Sequence, residues 1–139
     1  MGTWGTGPYD NDTADDFLDE LEGMASGDRL LKIVDTFRAA IAAEGRRSSA
    51  VLPEEVLAAG GVVAANLSPD LRILQSEDHP GIDSWLDGSA SRATAALAVE
   101  ALQAAFGENG RFCESWVDGR SRTEAEADYR SLLAVLRSA

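Results

Sequence analysis

The sequence predicts an all-α protein: a compact bundle of five or six helices behind an irregular N-terminal arm. Three observations carry that expectation. Apolar residues recur with the 3.6-residue period of a helix in segment after segment. No stretch of useful length alternates apolar and polar residues as a half-buried strand would. The length of 139 residues suits a single domain, residues 1–139, which can close a core without disulfides or metals. A hydrophobic fraction of 45% and only 4 prolines fit a globular chain rather than a disordered one.

Residues 1–11 form the arm. Gly2, Gly5, Gly7 and Pro8 exclude a regular element, and Trp4 and Tyr9 are expected to pin the segment to the body by burying their rings. The first helix begins near Asp12 and Thr13, either of which can cap it. Ala14, Phe17, Leu18, Leu21 and Met24 follow the helical period, and Asp15 and Asp16 in the first turn suit the helix dipole. Asp15, Asp19 and Glu22 fall on the outer face, and Gly23 with Gly27 marks the end. A second helix runs from about Asp28 to Glu44 with Leu30, Val34, Phe37 and Ile41 as its stripe, and stops at Gly45.

Pro53, followed by Glu54 and Glu55, opens a third helix. Its sequence from Val56 to Leu67 is apolar on nearly every side, so it is expected to be the central buried helix. The Gly60-Gly61 pair costs about 2 kcal/mol relative to two alanines, which implies close approach of a neighbouring helix. Beyond Asn66 the pattern weakens. Ser68-Pro69-Asp70 opens a short turn carrying Leu71, Ile73 and Leu74, the stretch SEDHPG reads as loop, and Ile82 to Leu86 forms another turn holding Trp85. A fourth long helix covers about Arg92 to Phe106 and ends at Gly107. Phe112 and Trp116 are spaced for one face of a short helix. After an Asp118-Gly119 turn, Ser121 and Glu124 make a capping box for the last helix, with Ala125, Tyr129, Leu132 and Leu136 as its stripe.

Charge is unevenly placed. The net charge is −12, and residues 1–28 hold eight acids (Asp10, Asp12, Asp15, Asp16, Asp19, Glu20, Glu22, Asp28) and no base. The acidic balance argues against nucleic acid and against anionic membranes, both of which need clustered Lys and Arg. The single cysteine, Cys113, cannot close an internal disulfide, and no Cys/His cluster exists for zinc. No run approaches 18 apolar residues, and the first residues lack the basic and apolar regions of a secretory signal. A soluble, cytoplasmic protein is expected. Arg outnumbers Lys 11 to 1 and Ala supplies 23 residues, the signature of a GC-rich bacterial genome.

Four features bear on chemistry. His79, the one histidine, reads as a solvated loop residue, with general base or lone metal ligand as the sharper alternative. Cys113 reads as a small buried apolar residue, as free cysteines most often are, with a Cys/His nucleophilic pair in space as the sharper alternative that nothing local supports. Asp10, Asp12 and Asp16 group oxygen ligands at a helix start, as calcium, magnesium or manganese would require, although capping and turn hydrogen bonds account for the same residues. A divalent cation is thus the one cofactor the sequence admits. Asp15, Asp16, Asp19, Glu20 and Glu22 lie within eight positions with no base among them, so a basic protein partner would relieve their repulsion. Self-association through Val56–Ala65 is a further option.

The segment MGTWGTGPYDNDTADDFLDEL resembles the start of a bacterial domain-of-unknown-function family, number four thousand two hundred and fifty-nine in its series. Gly2, Trp4, Gly5, Gly7, Asp10, Asn11, Asp12, Ala14, Asp16 and Phe17 carry the resemblance, and Tyr9 stands where Phe is commoner. It implies a small, acidic, intracellular helical protein and brings no activity with it. The function expected is a non-catalytic protein-binding module of inhibitor, immunity or accessory type. Trp4, Tyr9, Asp10, Asp12, Asp15, Asp16 and Asp19 are its candidate binding residues. The alternative is a divalent-cation site at Asp10, Asp12 and Asp16 supporting a small hydrolase or ligand-binding activity.

Overall fold

A computed structural model describes residues 12–43, 53–68, 79–88, 90–106 and 119–138, and all regular structure among them is helical. Five α-helices follow in order: α1 (Asp12–Glu22), α2 (Ser26–Ala43), α3 (Pro53–Leu67), α4 (Arg92–Phe106) and α5 (Gly119–Arg137). Among the described residues between α3 and α4, a 3-10 turn, η1, covers Ile82–Ser84. The arm with Trp4 and Tyr9, the turn expected to carry Leu71, Ile73 and Leu74, Cys113 and the Phe112–Trp116 element lie outside the described residues.

The apolar circumference of α3 decides the architecture. A helix without a polar face must be covered on all sides, and every residue from Val56 to Ala65 is buried. α3 packs against α1, α2, α4, α5 and η1, so the other elements form a shell around it. The surface suggested for self-association is therefore consumed inside the chain. Gly60 shows why the glycine pair is placed there: a Cβ at that position would meet Leu102 Cδ1 at 3.1 Å, so α4 approaches more closely than an alanine comfortably allows. α5 closes the bundle with Tyr129, Leu132, Leu133 and Leu136, and the Tyr129 hydroxyl donates to the Leu102 carbonyl at 3.1 Å.

α1 follows its sequence pattern, with Ala14, Phe17, Leu18 and Leu21 in the core and Met24 partly buried against it. Three local expectations are corrected. The buried stripe of α2 is Ile33, Phe37 and Ala40, with Leu30 and Ile41 partly buried to one side of it, because α2 faces α4 and α3 together and the seam between them selects one edge of its apolar arc. α2 opens at Ser26, so Gly27 lies inside its first turn. α5 opens at Gly119, two residues before the expected cap Ser121; the dihedrals of a type I turn lie close to helical ones, so a turn signal at this point also suits a helix start. A side-chain cap is seen at Ser91, whose Oγ accepts from the Thr94 amide at 3.3 Å and starts α4.

Candidate functional site

Asp15, Asp19 and Glu22 are spaced i, i+4 and i+7, which stacks them on one face of α1. That face does not look wholly into water. The segment 79–88 returns across it, and His79 is only 2% exposed. His79 Nδ1 lies 2.8 Å from Glu22 Oε1, and Nε2 lies 2.9 Å from Asp15 Oδ1 and 3.6 Å from Asp19 Oδ1. The expectation of a solvated His79 is thus corrected: the carboxylates replace the water that the ring gives up on burial.

The segment is shaped to deliver the ring. Gly81 takes the left-handed conformation, φ 83°, so the chain turns directly after Pro80 into η1. Its carbonyl accepts from both the amide and the hydroxyl of Ser84, each at 2.9 Å. The turn sends Trp85 and Leu86 inward, and the Trp85 ring meets His79 edge-on at 5.8 Å between centroids. Asn66, at the end of α3, clamps the turn. Its Oδ1 accepts from the Leu86 amide at 3.1 Å, and its Nδ2 donates to the Ile82 carbonyl at 3.0 Å and the Val62 carbonyl at 2.8 Å.

Arg29 of α2 holds the other side. Its guanidinium donates to the carbonyls of Leu21 at 2.7 Å, Glu22 at 3.0 Å and Trp85 at 3.1 Å. The first two are end-of-helix carbonyls with no partner in α1, where a cation also meets the negative end of the helix dipole. Cζ stands 5.3 Å from the centre of the Trp85 ring, within cation–π range. Three elements and one turn therefore converge on His79 and Trp85.

The electrostatics follow from the geometry. Burial of His79 disfavours its charged form, but hydrogen bonds to Asp15 and Glu22 and the charges of Asp15 and Asp19 outweigh that, and its pKa is raised above the ordinary 6.5. Donor atoms of Asp15, Asp19 and His79 lie within 4.8 Å of one another, so a cation and the ring's own proton would compete for Nε2. Elsewhere on α1, Glu20 is paired with Lys32 of α2 at 2.9 Å.

The residues singled out from sequence separate into three groups. Asp15 and Asp19 are brought together. Asp16, about 100° further round the helix than Asp15, is exposed and is not one of the group that Asp15 and Asp19 form with His79. Asp10, like Trp4 and Tyr9, lies outside the described residues, as does the side chain of Asp12, although its backbone opens α1. His79, Glu22, Arg29, Asn66 and Trp85 were not among the candidate binding residues. The contacts that bring them together across elements join positions as far as 16 to 64 residues apart, beyond the reach of local periodicity. One signal was available: an acidic stripe without an intrahelical base, in a chain with a single histidine.

The family model described as Domain of unknown function (DUF4259) matches residues 2–128. The chain belongs to this family. The match takes in α1 to α4 and the start of α5, so the His79 site lies wholly inside the DUF4259 domain. No curated protein and no solved structure matches the chain. No helix among the described residues of this DUF4259 member is long and apolar enough to cross a membrane.

Proposed function

We propose that this DUF4259 protein is a small non-catalytic binding module that docks a basic protein partner through the acidic face of α1. One observation carries the reading. α1 holds six acids and no base within eleven residues, and among the described residues the neighbouring elements answer only part of that charge, through Lys32 on Glu20 and through His79. Asp16 is exposed, and the side chains of Asp19, Glu20 and Glu22 keep 64%, 61% and 53% of their surface in water. A field of one sign on a rigid helix speeds encounter with an oppositely charged surface and is weakened by salt.

The test must leave the His79 contacts alone, so the substitutions fall on Asp16 and Glu20. Protein captured from a lysate of the source cells is identified and purified, and its association rate with wild type and with Asp16→Lys/Glu20→Lys is measured between about 50 and 300 mM salt. An association rate at least tenfold slower for the double variant at low salt, with the gap closing as salt rises, is expected. Equal rates for the two proteins at low salt would overturn the reading.

A further inference from the structure

We propose that His79 is held as a doubly protonated imidazolium and serves as a pH-operated latch that fastens the 79–88 segment onto α1. The proposal stands apart from the docking function. Its basis is the identity of the partners: an ionised carboxylate only accepts hydrogen bonds, and a neutral imidazole carries a single N–H. Here both ring nitrogens face carboxylate oxygens at hydrogen-bonding distance, 2.8 Å to Glu22 and 2.9 Å to Asp15. Either neutral tautomer would set a nitrogen lone pair against a carboxylate oxygen. Two N–H donors satisfy both contacts at once, so the arrangement selects the cation.

The surroundings fit that charge. From α1, Asp15, Asp19 and Glu22 face the ring. From its own segment comes the edge-on Trp85 ring. From α2, Arg29 is the one described base nearby, and it is spent on three carbonyls and the Trp85 ring. α3 contributes the neutral Asn66, which holds Ile82 and Leu86 rather than the ring. Loss of the Nε2 proton turns the contacts with Asp15 and Asp19 from attraction to repulsion. The His79 end of the segment then lifts from α1 while Asn66 and Arg29 keep hold of Ile82–Leu86. The carboxylates left behind gain their full exposed charge.

The sign of the pH effect is fixed by the direction in which the contacts move the ring's proton affinity. A group whose pKa is raised by folding adds stability that is fully present below 6.5 and is lost as pH rises through the folded-state value. Each unit of elevation corresponds to a tenfold change in the folding equilibrium constant.

His79 is the single histidine, so its ring proton resonance can be followed by NMR without assignment. The expected midpoint lies above 6.5, and both Asp15→Asn and Glu22→Gln shift it downward. Exchange protection of the Ser84 amide, which donates to the Gly81 carbonyl, corrected for the intrinsic rate, should fall across the same midpoint in wild type. The profile should be flat in His79→Gln, and the two carboxylate variants supply the comparison if that protein does not fold. A wild-type midpoint at or below 6.5, or protection that ignores pH, overturns the latch. Titrations before and after EDTA treatment, and with added zinc, separate the proton from a metal. Identical curves before and after EDTA support the latch, whereas a titration that appears only after EDTA shows that a cation holds Nε2 and overturns it.

Discussion

Asn66 shows how much one amide can organise. It sits in the last turn of α3, where a helix has spare carbonyls and few remaining constraints, and it spends both ends of its side chain on its surroundings. The acceptor takes the Leu86 amide and the donor serves Ile82 and Val62. The Ile82 carbonyl also accepts from the Trp85 amide within η1 at 3.3 Å, so Asn66 adds a second bond there and ties the turn to α3. Asn66→Ala should lower stability by about 2 kcal/mol, the net worth of two or three hydrogen bonds lost together. Urea denaturation measures it, and a loss under about 0.5 kcal/mol would mean that water enters to replace the amide. Asn66→Asp keeps the acceptor for Leu86 and loses the donors, so it should retain part of the stability. From sequence, Asn66 was legible only as the place where the apolar pattern weakened; its role depends on a turn that begins sixteen residues later.

At the scale of elements, the α3–α4 seam is the informative contact. The glycine pair in α3 weakens the helix on its own, and the packing explains why it is kept. With Leu102 Cδ1 already at 3.1 Å from where a Cβ would stand, Gly60→Ala sets a gain of about 1 kcal/mol in helix propensity against compression of a fully buried leucine. Those effects nearly cancel. Gly60→Val adds branching methyls in the same space and should destabilise by about 2 kcal/mol, the usual scale of overpacking. Thermal and urea melts of the two variants check this, and a valine variant as stable as wild type would show that α4 can move away. The need for a close neighbour was readable from the glycine pair; which helix supplies it was not. α2 teaches the complementary lesson. Its apolar arc is wide enough to allow several stripes, and the one centred on Ile33, Phe37 and Ala40 is chosen by the position of α3 and α4.

For the whole molecule, charge is the strongest physical effect that can be read without coordinates. A net charge of −12, with eight acids and no base in residues 1–28, repels itself most strongly when the chain is compact. Raising ionic strength from about 0.01 M to 0.15 M shortens the screening length from about 30 Å to about 8 Å, so the melting temperature should rise over that interval. Calorimetry at about pH 6, below the ordinary histidine pKa, makes the measurement with the His79 contacts in place. A melting temperature that falls with salt would show that ion pairs such as Glu20–Lys32 outweigh the general repulsion.

The helical class, the extents of α1, α3 and α4 to within a residue or so, and the central burial of α3 follow from the sequence, because each depends on the period and capping of residues near one another in the chain. The acidity of the first helix follows too, since charge is a sum that needs no coordinates. The meeting of His79 with Asp15, Asp19 and Glu22 belongs to the tertiary structure. It joins groups 57 to 64 residues apart, and a loop histidine has the same local sequence whether it ends in water or against three carboxylates. Only the packing of η1 onto α3, with Trp85 edge-on to the His79 ring and Arg29 over the Trp85 ring, removes the water and leaves the acids as the partners of His79.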